Sequence, residues 1–222
     1  MAQPEQVYEE CIIHEGQAAT DRLASMGLRV AYFDAAVRQG HDRSSQVSRV
    51  HPRTYKGQVM WAETVAELRT QLLALNQGWD IGFTDNYETS FHLKNGIAVA
   101  VVGADTNCGE RTFGTPKAAR KRGPVTAKRV RKNFLGQQAF DLPEFKDSPQ
   151  HDELCDTWFL MLNARDGRMY IELSLAISLG PDNKFGVWRE RILMPYISLR
   201  GAVVTPMEPD ETEPPRVDVG RK

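Results

Sequence analysis

Two stretches of this chain contain no acidic residue at all. Residues 43–62 and 111–140 lack Asp and Glu, although the 222-residue chain holds 29 of them against 28 Lys and Arg. The first stretch carries Arg43, Arg49, Arg53 and Lys56. The second carries Arg111, Lys117, Arg120, Lys121, Arg122, Lys128, Arg129, Arg131 and Lys132. Together they hold +13 in a chain of formal net charge −1, so the other 172 residues hold −14. A block of like charge repels itself and persists where an anion meets it or water solvates it. A near-zero net charge ordinarily argues against a nucleic-acid binder. Segregation weakens that objection, because binding follows the local field rather than the total.

Other absences narrow the field. Cysteine is scarce: Cys11, Cys108 and Cys155 are an odd set without paired spacing, which speaks against a disulfide framework and for a reducing compartment. No stretch approaches about 18 consecutive apolar residues, so no ordinary membrane span is expected. The N-terminal MAQPEQVYEECIIHEG has neither the cationic start nor the apolar core of a secretory signal. A cytoplasmic protein without a membrane partner is expected. No Gly-x-Ser-x-Gly elbow, Walker spacing or dinucleotide glycine fingerprint is present. No cofactor is implied, and the balance leans away from an enzyme.

The weaker motifs each have an ordinary structural explanation. His151 with Cys155, and Cys11 with His14, have helical or turn spacing, but zinc needs four convergent ligands, so no metal is expected. The acids Asp156, Asp166 and Glu172 lie on or near strands without the Glu-x-Lys of restriction-type nucleases. A charge pair from Glu172 to Arg189 or Arg191 is the simpler role. Cys108 sits in a glycine-rich loop without an evident histidine partner. The loop Gly103–Gly109 follows a buried-looking strand and could seat a phosphate, though Asp105, Thr106 and Asn107 also suit a turn. A helix-turn-helix around Gly27 would make Arg29–Gln39 the reader, yet its outward set includes Asp34, which repels phosphate. AARKR and AKRVRK resemble nuclear-import patches if the source is eukaryotic.

Periodicity predicts helices at the N-terminal end. Ala19, Leu23 and Met26 recur at helical spacing before Gly27, and Val30, Phe33 and Val37 do so before Gly40. Residues 41–60 lose the pattern and are expected to form a basic loop. Trp61, Val65, Leu68, Leu72 and Leu75 then line one face of a helix over 61–76. Beyond Gly78 the period becomes two. Thr89–Leu93 and Ile97–Val102 flank Asn95-Gly96, and Trp158–Ala164 and Met169–Ile177 flank Asp166-Gly167; both are hairpin signatures. A fifth strand is expected near Val187–Met194.

The predicted fold is therefore α+β. A helical part (about 15–80) packs on an antiparallel sheet of about five strands (about 85–200), forming one domain over 1–205 with a basic loop-helix between the hairpins. That helix, about Pro124–Asn133, should dock through Ala127, Val130 and Phe134. Residues 206–222 hold four prolines and five acids, a composition expected to be disordered.

Function follows from the cations. A non-enzymatic nucleic-acid-binding protein is expected, contacting phosphates through Lys117, Arg120, Lys121, Arg122, Lys128, Arg129, Arg131 and Lys132, assisted by Arg49, Arg53 and Lys56. Two alternatives are a protein-interaction module whose basic face meets an acidic surface, and an enzyme seating a phosphorylated small molecule in the 103–123 loop. The acids Asp141, Glu144, Asp147, Asp152, Glu153 and Asp156 could instead neutralise the block internally.

Overall fold

The computed structural model describes residues 10–111, 114–135 and 152–199. Its element order is β1 (Ile12–His14), α1 (Gln17–Ser25), α2 (Val30–Ser45), α3 (Tyr55–Leu73), β2 (Trp79–Gly82), β3 (Thr89–His92), β4 (Ile97–Gly103), α4 (Pro124–Leu135), β5 (Asp156–Arg165), β6 (Arg168–Leu179), β7 (Phe185–Leu193) and β8 (Ile197–Ser198). The class is α+β, but the sheet is mixed and eight-stranded rather than antiparallel and five-stranded. Its order is β1-β7-β6-β5-β4-β3-β2, with β8 pairing β6. No helix among the described residues is long and apolar enough to cross a membrane.

The connection between the hairpins explains the difference. It carries α4 across one face of the sheet, so β5 returns parallel to β4, from Ile97↔Asp156 to Gly103↔Leu162. A parallel neighbour requires such a crossover. β1 adds a second parallel pair on the β7 edge, and at three residues it is too short to show a period. The β5–β6 turn is as expected, with Asp166 (φ 52°) and Gly167 (φ 70°) both left-handed. At the other hairpin only Gly96 takes a positive φ, after a 3₁₀ turn over Leu93–Asn95.

Each face of the sheet has its own core. On one side α1, α2 and α3 bury Leu23, Phe33, Val37, Leu68 and Leu72 against Val99, Leu160, Ile171, Leu173 and Ile192. On the other, α4 and the chain before it cover Ala100, Val102, Phe159, Met161, Phe185 and Trp188. The β6 alternation predicts one packed and one mixed face. On the mixed face Glu172 and Ser174 are buried as well, and Tyr170 is half-buried.

α2 passes through Gly40 instead of ending there. A Cβ at Gly40 would collide with the Thr64 hydroxyl and lie 2.7 Å from the Met60 carbonyl oxygen. The glycine therefore lets α2 and α3 approach closely. In an open helix Gly→Ala would gain about 1 kcal/mol, but here overpacking of about 1–3 kcal/mol opposes it. Gly40→Ala is thus expected to lower the thermal midpoint by several degrees, measured by circular dichroism; a rise would refute the close approach.

Candidate functional site

The basic helix α4 docks by a face rotated from the expected one. Thr126, Arg129, Val130 and Asn133 are buried, whereas Phe134 is exposed. Asn133 takes the place of a ladder rung where the β5–β6 pairing has stopped. Its Nδ2 donates to the carbonyl oxygens of Thr157 (2.9 Å) and Ala176 (2.8 Å), and its Oδ1 accepts from the Thr157 N–H (2.8 Å). Arg129 enters the interior and donates to Asp152 at 2.7 Å, both side chains being almost wholly buried. The Thr84 hydroxyl also donates to Asp152, as does that of Thr89 at 2.8 Å. Burial raises the Asp152 carboxyl, but these hydroxyls and the Arg129 guanidinium outweigh it and hold the group below the usual carboxylate range.

Four of the eight remaining cations of the second stretch meet acids. Lys128 lies 3.2 Å from Asp85 and 3.3 Å from Glu153. Lys132 lies 4.0 Å from Asp156, Lys117 2.9 Å from Asp182, and Arg111 3.1 Å from Glu15. Burial lowers the Lys132 ammonium, with partial compensation from Asp156. The described end of the acidic stretch, 152–156, therefore folds onto α4; Asp141, Glu144 and Asp147 lie outside the described residues. Lys128, Arg129 and Lys132, expected as phosphate contacts, are paired within the chain, and so is Lys117. Among the described residues Arg120, Lys121 and Arg131 are exposed and form no ion pair.

Of the uncommitted cations of the two acid-free stretches, Arg120 and Arg122 line one groove of about 450 Å³. One lip is the start of α3, which begins six residues before the expected position, with Thr54, Gly57 and Gln58 facing inward. Arg53 and Lys56 interleave with these residues and are exposed, as is Arg49. The opposite lip carries Ala119, Arg120 and Arg122, and Asn86, Tyr87 and Glu88 close a third side. Arg122 is anchored by its N–H to the Asn183 carbonyl (2.7 Å), and its Nη2 lies 3.5 Å from the Tyr87 hydroxyl. Its Nε is buried without a hydrogen-bond partner among the described residues. Glu88, the acid of the groove, is engaged by Arg69 at 2.6 Å. Arg131 does not line the groove.

The floor is the edge of β4. The β3 ladder stops at Ser90↔Val99, and the segment 117–119 begins beside Gly103, where Ala119 N–H donates to the Gly103 carbonyl at 2.9 Å. No strand among the described residues covers Ala100–Val102 between them. Trp61 stands over this gap with its Nε1 donating to the Val101 carbonyl at 3.2 Å, and is 42% exposed. The apolar spacing assigns Trp61 to the buried stripe of α3. It continues that stripe past the end of β3, where the sheet has no strand to bury it. Neither Trp61 nor Tyr87 is legible as a site residue from local sequence.

The competing sites are filled by their own surroundings. Glu172 accepts from Arg191 Nη2 (2.6 Å) and Nε (3.1 Å), the Ser174 hydroxyl (2.8 Å) and the Gly109 N–H (2.8 Å). Its carboxylate ties the 104–111 loop to the sheet, in the charge pair expected with Arg191. Burial pushes the Cys108 thiol well up and the Cys155 thiol to about 11, so neither is a thiolate nucleophile near neutral pH. His14 lies against Glu190 at 3.0 Å, His151 falls outside the described residues, and among the described residues no cluster suits a metal. In the helix-turn-helix candidate, Arg38 is spent on Asp34 in a two-point contact of 2.7 and 3.1 Å. No family model matches this chain, and comparisons with curated proteins and with solved structures find no match.

Proposed function

We propose that this chain is a non-enzymatic nucleic-acid-binding protein whose phosphate contacts come from the two lips of the groove. Arg120, Lys121 and Arg122 supply one side; Arg53 and Lys56, with Arg49 nearby, supply the other. One observation carries the proposal: two acid-free stretches some sixty residues apart in sequence meet across a single groove, while Lys128, Arg129 and Lys132 are neutralised at home. Arg120 and Arg122 line one wall, and the exposed Arg53 and Lys56 neighbour the Thr54, Gly57 and Gln58 of the other in sequence, so their fields add near the groove mouth. The contacts are to backbone phosphate, which positions a strand without reading its bases.

Five such contacts give a log–log salt slope of roughly −3.5 on a single strand and −4.5 on a duplex. Fluorescence anisotropy with labelled oligonucleotides at two salt concentrations measures it. The double variant Arg120→Glu/Lys121→Glu is expected to weaken binding at least tenfold and to flatten the slope by about 2. Lys128→Glu, on a cation already paired with acids, is expected to change affinity less than threefold. Absence of binding at low salt to every nucleic acid would end the proposal.

A second reading has a specific observation in its favour. Gly103, Ala119, Arg120 and Arg122 all border the groove, and its volume lies within the range of about 300–1,000 Å³ typical of small-molecule sites. A phosphorylated small molecule would then be the ligand. Titration with mononucleotides separates the two, because a strand binder gains affinity with length and a small-molecule site does not.

A further inference from the structure

We infer that the groove takes one unpaired nucleic-acid strand, with Trp61 as the platform on which a base stacks. This rests on the nucleic-acid proposal above and specifies its ligand. Duplex recognition ordinarily inserts a helix or ribbon into a major groove about 12 Å wide. The cationic helix of this chain is unsuited to that, since its cations Lys128, Arg129 and Lys132 face carboxylates. Arg120 and Arg122, which face no carboxylate, instead border a concavity of about 450 Å³, which has room for a nucleotide or two and none for a double helix.

Strand-binding grooves combine cations that track the backbone with aromatic faces that accept bases of any sequence. Both are present. Of the four tryptophans in the chain, Trp79, Trp158 and Trp188 are buried in the cores, and Trp61 alone is 42% exposed. The Val101 carbonyl holds its indole N–H, so the ring is oriented before any ligand arrives, which reduces the entropy lost on binding. Beneath it the β4 edge at Ala100–Val102 has no covering strand among the described residues. The single acid among the lining residues, Glu88, is occupied by Arg69.

The location of the tryptophans makes the test direct, because Trp61 dominates the ligand-sensitive emission of the full chain. A fifteen-nucleotide oligothymidylate, a fifteen-base-pair duplex and thymidine monophosphate are titrated in turn. The single strand is expected to quench the emission and to bind at least tenfold more tightly than the duplex. By anisotropy, Trp61→Ala is expected to lose on the order of tenfold or more in single-strand affinity, and Trp61→Phe less. Far-ultraviolet circular dichroism checks that both variants stay folded. Two outcomes overturn the inference while leaving nucleic-acid binding intact: a duplex bound as tightly as the strand, or a folded Trp61→Ala that keeps full affinity while Arg120→Glu/Lys121→Glu loses it. Monophosphate bound as tightly as the oligonucleotide assigns the groove to small molecules. No binding by any of the three, nor by an RNA strand of the same length, removes the functional proposal itself.

Discussion

Asp152→Ala is expected to destabilise the protein by about 3–5 kcal/mol, because it strands the Arg129 guanidinium in the interior without its counter-charge. The two side chains lie 2.7 Å apart and are almost wholly buried. Thr84 and Thr89 lose their acceptor in the same step. For a chain of this size the loss corresponds to roughly 10 °C or more in thermal midpoint. Lys128→Glu, on the exposed side of the same helix, is expected to move the midpoint far less, since surface pairs are weak. The double variant Arg129→Met/Asp152→Ala is expected to be less damaged than the sum of its parts, because the stranded charge is gone.

The effect of Asp152 also has a pH signature. Its folded carboxyl sits below the ordinary value, so the unfolded chain takes up its proton first as pH falls. The stabilisation is complete above the unfolded value near 4 and is lost as pH drops through the lower folded value. The stability gap between the native protein and Asp152→Asn should therefore be constant from pH 7 to about 5 and narrow below about 4. Denaturant melts at four pH values measure it, and a gap that widened in acid would contradict the assignment.

Glu172→Ala is expected to cost a similar 3–5 kcal/mol elsewhere on the same face of the sheet, by leaving Arg191 buried and unpaired. The contact also has a local role, since the Gly109 N–H donates to Glu172 and Arg191 reaches the Glu110 carbonyl at 3.1 Å. Removing the carboxylate frees the loop that covers Cys108. Maleimide labelling of Cys108 under native conditions should accelerate at least tenfold in this variant. Glu172→Gln keeps the shape and several hydrogen bonds, and is expected to be the milder change. An unchanged melting midpoint together with an unreactive Cys108 would show that the carboxylate holds nothing in place.

Some of this was legible along the chain and some was not. The β5–β6 hairpin was, since Asp166-Gly167 supplies both left-handed residues of its turn within a few positions of alternating apolar side chains. The core faces of α1 and α2 were legible for the same local reason. Gly40 was misleading, because a helix-ending glycine and a glycine admitting a neighbouring helix look alike without the neighbour. β1, β2 and β8 are too short for a period to emerge. The mixed character of the sheet was hidden because orientation depends on a connection crossing over, and α4 docks by Asn133 and Arg129, residues no apolar pattern selects.

The two acid-free stretches are a property of the sequence alone, as are the turn at Asp166-Gly167 and the helical faces, because each depends on residues close together in the chain. Which cations remain uncommitted was decided only by the tertiary structure. Charge pairing acts through space, and the partners of Arg129, Lys128 and Lys117 arrive from 23 to 65 residues away. The same long-range folding brings the start of α3 opposite Arg120 and Arg122 and leaves Trp61 beyond the first residue of β3. A basic block is a matter of composition; a basic groove needs two walls, and the walls are distant in sequence.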